Sequence, residues 1–515
     1  MIRSGAVFVA LILGVAGANS AEPTVHGAPS PRADDSLSQS GSWFHAGSGR
    51  TLAAYSEFQN SVGTLGVISS AGAVDTAGHP FFEPLGTNGR ACVTCHQPAD
   101  GMSISVRTVR DRWAATQGRD PLFAPIDGAN CPDARVGDEE SHSLLLDRGL
   151  FRIALPWPPK PESAEVRDPE FSIKVVADPT GCNTHPRYGL NSDKPTISVY
   201  RRPRMAANMR FVVGVRRDLE FNVKNGMPLP RHPEAGHRVN MNLMYDGREL
   251  SLKTQAVAAA FNHLQVKSVP TPEQLQRIED LQLQLYAAQS EHVNAGRFDA
   301  RQTPKVLGPW GLVSAHASLP GDRLKTPVFQ FFDEWTRDGA EAASKEQAEF
   351  RASVARGADV FMTKLFWQRD IWGLNNGGSG NPIKRSCSTC HNSQMTGGDN
   401  SPGWFDIGIA NVPWADPNPD LPLFELTCRS DVDQHPYLGR VIRTHDPGRA
   451  LISGRCADIG SLSIHQFRSF AARAPYFSNG SAQTIAEVLE FYERRFDFKY
   501  TPQEKQDLIN LFSVL

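Results

Sequence analysis

The sequence predicts a mainly α-helical chain of two units with long loop-rich insertions. A five-residue motif, Cys-x-x-Cys-His, occurs at Cys92 to His96 and again at Cys387 to His391. Apolar residues at helical spacing recur in segments between Leu252 and Leu515, whereas residues 113 to 200 contain many prolines and few periodic apolar runs. The length of 515 residues leaves room for two or three domains.

Five segments carry the helical pattern. The last begins with Thr501 as a cap, Pro502 at the first helical position and Glu504 three residues beyond the cap. The five predicted helices are Leu252 to Gln265, Thr271 to His292, Ala342 to Lys364, Ile485 to Arg495 and Thr501 to Leu515.

The N-terminal sequence has the features of a signal peptide. Arg3 precedes a short apolar run from Ala6 to Val15, and small residues follow that run. The run is too short for a good membrane-spanning helix, although an uncleaved anchor is the alternative. We therefore predict a cleaved signal peptide at residues 1–20, a disordered leader at 21–50 and a periplasmic protein.

Composition excludes two classes of partner. The formal net charge of −2 gives no basic surplus to neutralise phosphates, so nucleic-acid binding is not expected. Beyond the N-terminal run no segment is apolar enough to cross a bilayer, so no stable membrane insertion is expected.

Four cysteines lie outside the motifs, two in each half of the chain. In an oxidising compartment an even number of remaining cysteines indicates disulfides. Pairing within each half closes the shorter loops, which predicts Cys131–Cys182 and Cys428–Cys456. Buried free thiols are the alternative.

The chemistry of Cys-x-x-Cys-His is covalent haem attachment. The two thiols add to the haem vinyl groups, and the histidine coordinates the iron. A zinc or redox Cys-x-x-Cys followed by a chance histidine is the alternative, but no further Cys-x-x-Cys completes a four-cysteine zinc site. The predicted cofactors are two covalently bound haem c groups, held by Cys92, Cys95 and His96 and by Cys387, Cys390 and His391.

A helix, a haem motif and a terminal helix make up a small cytochrome c unit. We therefore predict two cytochrome c-like haem domains, at residues 51–340 and 341–515, the first with an insertion at about 113–200. In the second unit the last methionine, Met395, lies only four residues past His391 and cannot reach the opposite haem face. The remaining candidates for the distal ligand are His435, His445, His465, Tyr437, Tyr476, Tyr492 and Tyr500.

From about Gly78 to Leu515 the chain resembles the bacterial di-haem cytochrome c peroxidase and MauG superfamily. In that family the N-terminal haem is peroxidatic and the C-terminal haem relays electrons. The resemblance is carried by Leu85 to Ala91, Asp120 to Phe123, Asp127 to Pro132, Ser198 to Pro203, Tyr245 to Arg248, Gln255-Ala256, Gly397-Gly398 and Arg473 to Ser481.

The resemblance implies the distal ligand of the second haem. The family places it sixteen residues past the tyrosine of the Ala-Pro-Tyr-Phe segment, and counting from Tyr476 reaches Tyr492. The peroxidases have methionine there, and MauG has tyrosine. A core aromatic on an amphipathic helix is the alternative role for Tyr492.

The resemblance also implies a peroxidatic pocket. The family's pocket glutamine corresponds to Gln255, and its acidic residue corresponds to Gln265, which cannot accept a proton at neutral pH. His263 is therefore the candidate acid–base group, with a partly buried helix histidine as the alternative. Tyr245 stands where the family has a tryptophan between its haems, and Arg248 is a candidate propionate partner.

The first iron is expected to be open, because no histidine lies between Gln97 and Phe123 where classical peroxidases have one. His142 or His185 folding back onto the iron is the alternative. The family's calcium-binding asparagine falls near Pro195 here, so calcium is retained only as a candidate cofactor.

The expected function is reduction of hydrogen peroxide by an exported di-haem oxidoreductase. Its electron donor would be a small cytochrome c or a cupredoxin. One alternative is MauG-like oxidation of an organic or protein substrate. The other is a non-enzymatic electron-transfer cytochrome.

Overall fold

The structure is a computed structural model of the chain. The predicted signal peptide, the leader as far as residue 41 and Met395 lie outside the residues that it describes. The described residues are 42–159, 168–213, 223–224, 227–228, 230–236, 238–239, 241–299, 303–315, 332–336, 342–376, 380–391 and 404–515.

The prediction of a mainly α-helical fold is wrong. The structure is 31% helical and 19% strand, and its strands form several antiparallel sheets. Strands pair through backbone hydrogen bonds to partners far away in sequence, and local apolar spacing carries no trace of such partners. The strand Gly63–Ser69, for example, pairs along its length with Leu285–His292.

The predicted helices are present, with one correction. The segment predicted as one helix from Thr271 to His292 is a helix only as far as Gln284, after which Leu285 begins a strand. The helices of the described residues are α1 Val106–Thr116, α2 Ser143–Arg148, α3 Met209–Val213, α4 Leu252–Ala259, α5 Pro272–Gln284, α6 Gly308–Ala315, α7 Lys345–Thr363, α8 Ala450–Ser453, α9 Ile485–Phe496 and α10 Pro502–Ser513.

The strands form one four-stranded sheet, one three-stranded sheet and several pairs. The orders of the two larger sheets are β1-β2-β8-β9 and β14-β13-β4. The strands are β1 Tyr55–Asn60, β2 Gly63–Ser69, β3 Phe151–Pro156, β4 Phe171–Ala177, β5 Thr196–Arg201, β6 Val223–Lys224, β7 Met227–Pro228, β8 Leu285–His292, β9 Gly296–Arg297, β10 Phe366–Gln368, β11 Ile383–Arg385, β12 Trp404–Phe405, β13 Leu423–Cys428, β14 Val441–Thr444 and β15 Leu462–Ser463.

The segment expected to be a loop-rich insertion contains strands β3, β4 and β5. Strand β4 pairs with β13 from the second half of the chain, with Ile173 opposite Leu426. One apolar cluster contains buried residues of both halves, among them Phe171 and Phe424. The predicted disulfides Cys131–Cys182 and Cys428–Cys456 are both confirmed.

The largest apolar cluster positions the second motif. It joins residues of β8, α6, α7, α9 and α10, including the buried Phe361 and Leu511. The hairpin of β10 and β11 follows α7, and a turn of 3₁₀-helix at Cys387–Thr389 follows the hairpin. Within the described part of the chain, no helix combines the length and the apolar character needed to cross a membrane.

Candidate active site

Two large cavities each contain one Cys-x-x-Cys-His motif. The cavity around Cys92, Cys95 and His96, here called the first cavity, has an empty volume of about 1380 Å³, part of it open to solvent. The second cavity, around Cys387, Cys390 and His391, has about 1530 Å³. Each cavity lies directly against the two thiols and the histidine of its motif, which is where a group attached to that motif would be held.

The first motif is held in a tight turn with its histidine oriented. Residues Cys92–Thr94 form a turn of 3₁₀-helix, and the backbone N–H of His96 donates to the carbonyl of Cys92 at 3.1 Å. The ring Nδ1 of His96 donates to the carbonyl oxygen of Met102 at 3.0 Å. Nε2 is then the nitrogen left for a metal, because a carbonyl that accepts from one ring nitrogen fixes the orientation of a ligating histidine.

The second motif repeats the turn in a more aromatic setting. The His391 ring lies 4.5 Å from the ring of Phe467 and 6.3 Å from that of Phe361, measured between centroids. The hydroxyl of Tyr500 lies 3.9 Å from the Sγ of Cys387. Twelve phenylalanine and tyrosine side chains line the second cavity, against three in the first.

The two cavities share a wall. Tyr245 and His465 line both cavities, and their rings stack with centroids 4.6 Å apart and planes inclined by 30°. The hydroxyl of Tyr245 and the Nε2 of His465 are buried and have no hydrogen-bond partner among the described residues. This pair places two stacked aromatic rings between the two cavities.

Two buried arginines in the shared wall provide a test of whether haem fits. Arg202 and Arg473 also line both cavities, and neither has a carboxylate at ion-pair distance in the part of the chain that is described. Burial lowers the pKa of each guanidinium to about 10. Buried cations without an anion are costly, and the propionates of a haem would supply that anion. The residues present therefore fit the predicted cofactor.

In the first cavity, His263 is linked through the buried Asp127 to the buried Arg90. The Nδ1 of His263 lies 2.5 Å from Oδ2 of Asp127, and Oδ1 of Asp127 pairs with Nη1 of Arg90. Burial by itself would raise the pKa of Asp127, but the charge of Arg90 and the hydrogen bond from His263 outweigh burial and lower it. Asp127 is therefore ionised at neutral pH.

Local structure brings His263 to this position. Helix α4 ends in a π-helical turn, Ala260–Leu264. The backbone carbonyl of His263 accepts a hydrogen bond from the side-chain amide of Asn88 at 2.8 Å. A Cβ on Gly86 would lie 1.6 Å from the carbonyl oxygen of Leu264, so only glycine permits this close approach. The segment before the first motif therefore holds the π-helical turn in place.

Of the other residues predicted near the first haem, two line the first cavity and one does not. Gln255 on α4 lines the first cavity, as does Arg248, whose Nη1 also donates to both carboxylate oxygens of Asp246 at 2.7–2.8 Å. Gln265 does not line the cavity. It ends the π-helical turn in the left-handed region, with φ of 56°, and is exposed.

The structure narrows the candidates for a distal ligand in the second cavity. His435, His445 and Tyr437 do not line the second cavity, whereas Tyr476, Tyr492, Tyr500 and His465 do. The Tyr476 hydroxyl donates to the carbonyl of Phe470 at 3.2 Å. In the described part of the chain, no hydrogen bond engages the hydroxyl of Tyr492.

The first cavity contains side chains that sequence reasoning missed. His142 is buried with both ring nitrogens against backbone carbonyls, and His185 pairs with Asp133 at 3.1 Å, so neither reaches the cavity. Three methionines do line it: Met205, Met209 and Met244. Asp127 was also missed as a partner of His263, since 136 positions separate the two and no local pattern links them.

In comparisons with known proteins, no protein-family model matches the sequence and no curated protein matches it.

Proposed function

We propose that the protein is an exported di-haem c-type oxidoreductase that reduces hydrogen peroxide in the first cavity. The second cavity would receive electrons from a small cytochrome c or a cupredoxin and relay them to the first. The observation that carries this proposal is the difference between two otherwise similar cavities. The first is lined by His263 and Gln255, whereas neither residue lines the second, which is richer in phenylalanine and tyrosine.

The residues that would hold the cofactors are those of the two motifs. Cys92, Cys95 and His96 would hold the first haem. Cys387, Cys390 and His391 would hold the second, with Tyr492 as its distal ligand. A bound haem would supply the redox-active iron at each site. Arg202 and Arg473 would neutralise propionates, because both are buried cations without a carboxylate neighbour among the described residues.

The other groups of the chain would bind and orient peroxide. The amide of Gln255 can donate to one peroxide oxygen and accept from a peroxide hydroxyl. His263 can take up and return a proton within the cavity, which is the work of a general acid–base group. The stacked rings of Tyr245 and His465 offer an aromatic route between the cavities.

The test compares two double variants of the haem-loaded protein. Cys92→Ala/Cys95→Ala should abolish the reaction with peroxide and leave the spectrum of the second haem unchanged. Cys387→Ala/Cys390→Ala should keep the reaction with peroxide but lose steady oxidation of reduced cytochrome c or cupredoxin. Peroxide reactivity that survives the first variant and is lost in the second would contradict the assignment of the cavities.

One observation favours a second candidate function, a non-enzymatic electron-transfer cytochrome. Met205, Met209 and Met244 line the first cavity, and a thioether on the first iron would close it to peroxide. The resting EPR spectrum separates the two candidates. A high-spin ferric signal supports the peroxidase, and wholly low-spin signals without any peroxide reaction support electron transfer.

Tyr492 favours a third candidate, MauG-like oxidation of an organic or protein substrate. A tyrosinate ligand lowers the reduction potential of a haem relative to methionine and so favours higher oxidation states. Turnover with reduced cytochrome c would then be slow, and peroxide would produce a long-lived oxidised state. Stopped-flow absorption after one equivalent of peroxide distinguishes this outcome from rapid peroxidase turnover.

A further inference from the structure

We infer that Asp127 is a positioning residue that makes His263 the proton acceptor of the first cavity. This inference rests on the proposed function. It adds a carboxylate from a distant loop to the site and gives the acid–base role to a fixed Asp127–His263 pair.

The geometry fixes which nitrogen of His263 carries the proton. An ionised carboxylate can only accept a hydrogen bond, so the Nδ1 of His263, 2.5 Å from Asp127, must donate. The neutral ring then has its lone pair on Nε2. His263 lines the first cavity, and Nε2 is the nitrogen that remains available to a ligand there. Asp127 thus selects the tautomer that can accept a proton.

Arg90 keeps this arrangement rigid and charged. It is 1% exposed, pairs with the second oxygen of Asp127, and donates to the carbonyls of Pro121 and Leu122 at 2.6 and 2.7 Å. Because each oxygen of Asp127 has its own partner, the carboxylate cannot rotate away from His263. A carboxylate held between a cation and a histidine is a common way to orient an acid–base histidine.

The proton inventory of the step balances. One O–H bond of hydrogen peroxide breaks, and its proton moves to Nε2 of His263. The Nδ1–H group of the ring remains intact and keeps its hydrogen bond to Asp127. When the O–O bond breaks, Nε2 returns that proton to the departing oxygen. Two molecules of the small redox protein named above, each a one-electron carrier, supply the two electrons, and two further solvent protons complete two water molecules. Asp127 itself exchanges no proton.

The test uses cyanide as well as peroxide. Hydrogen cyanide is protonated at neutral pH and binds ferric iron as the anion, so its association needs a proton acceptor but no turnover. We expect His263→Phe and Asp127→Asn each to slow cyanide association by about 100-fold, within the range of general base effects. The asparagine amide would donate to Nδ1 and shift the proton to Nε2. Combining both changes should slow association no further, because the residues act as a unit.

Asp120→Asn is the matched control. Asp120 is also buried and paired with an arginine, Arg112, in the same loop region, but it does not contact His263. The rate of cyanide association of Asp120→Asn should stay within two-fold of the rate of the unchanged protein. If Asp127→Asn does not fold, Arg90→Met/Asp127→Leu removes both charges together and avoids an unpaired buried charge. That variant should show the same slow association.

The outcomes separate the inference from the proposed function. The role of Asp127 would be overturned if cyanide associates at the normal rate with Asp127→Asn or with Arg90→Met/Asp127→Leu but slowly with His263→Phe. Normal association in all variants would overturn the role of the pair. Slow association in the Asp127 and His263 variants, in a protein that does not react with peroxide, would sustain the inference and defeat the peroxidase proposal.

Discussion

At the scale of the residue, Tyr492 and Tyr476 line the same cavity but differ in hydrogen bonding. Tyr476 donates to the carbonyl of Phe470, whereas the Tyr492 hydroxyl has no such partner in the described part of the chain. If Tyr492 is the distal ligand proposed above, Tyr492→Phe in the haem-loaded protein should change the absorption and EPR spectra of the second haem. Tyr476→Phe is the control and should leave both spectra unchanged. The reverse pattern would assign the ligand to Tyr476.

Tyr245 allows a prediction about stability and redox together. Its buried hydroxyl has no hydrogen-bond partner among the described residues, so Tyr245→Phe should change the free energy of unfolding by no more than about 0.5 kcal/mol. Tyr200→Phe removes a hydroxyl that donates to the carbonyl of Asn130 and should cost about 1 kcal/mol. Denaturant unfolding measures both.

The redox part of the Tyr245 prediction needs a kinetic readout. If the phenol takes part in transfer between the cavities, Tyr245→Phe should slow the reoxidation of the second haem after peroxide is added. Tyr200→Phe should leave that rate unchanged. An unchanged rate in both variants would mean that Tyr245 only packs against His465.

Residues were predictable from sequence where adjacent positions carry the chemistry. The two motifs were found because five consecutive residues define them, and both disulfides because loop length and compartment restrict the pairing. His263 was found through the resemblance and its nearness to Gln265. Asp127 and the methionines of the first cavity were missed, because only the folded chain brings them together.

At the scale of the element, the packing of α7 against α10 depends on one glycine. A Cβ on Gly357 would lie 2.2 Å from the carbonyl oxygen of Asp507. Alanine normally stabilises a helix by about 1 kcal/mol over glycine. Here the helices must move apart instead, and we predict that Gly357→Ala lowers the free energy of unfolding by about 1–3 kcal/mol.

The control for that prediction lies in the same helix. Ala348 is exposed on α7, so Ala348→Gly reports helix propensity alone and should cost about 1 kcal/mol. Denaturant titration of both variants gives the comparison. If Gly357→Ala instead stabilises the protein, the contact between α7 and α10 accommodates a methyl group and the prediction is wrong.

Elements were predictable where the signal is local. The capping box at Thr501, with Pro502 and Glu504, marked the start of α10 correctly. The strand β8 was mistaken for a continuation of α5, because its partner β2 lies more than two hundred positions earlier. Strand β4 of the insertion was missed for the same reason, since its partner β13 lies about 250 positions later. Strands β3 and β5 pair with each other across 40–50 positions, and missing these strands led to the wrong fold class.

At the scale of the whole molecule, a buried ion cluster links the two halves of the chain. Arg201 bonds Asp246 at 2.6 Å and Asp446 at 2.7 Å. Burial alone would raise the pKa of Asp246, but the charges of Arg248 and Arg201 lower it below its ordinary value. The stability that this carboxylate contributes is therefore complete above about pH 4, the ordinary Asp pKa. It is lost as the pH falls further.

We predict that Asp246→Asn lowers the free energy of unfolding at neutral pH by about 3–5 kcal/mol. The variant should also lose less stability than the unchanged protein as the pH falls below about 4. Asp420→Asn breaks an exposed pair with Arg148 and should cost no more than about 1 kcal/mol. Urea unfolding at a series of pH values checks both predictions. If the free energy of unfolding falls with pH in the same way for Asp246→Asn as for the unchanged protein, the prediction is contradicted.

The pairing of β4 with β13 has a consequence for how the protein is made. Strand β4 is synthesised some 250 positions before its partner, so during that interval it has two free edges. Free edges invite pairing with other chains. A fragment that stops before β13 would keep this liability permanently, so we expect the first half, produced by itself, to aggregate more than the intact chain.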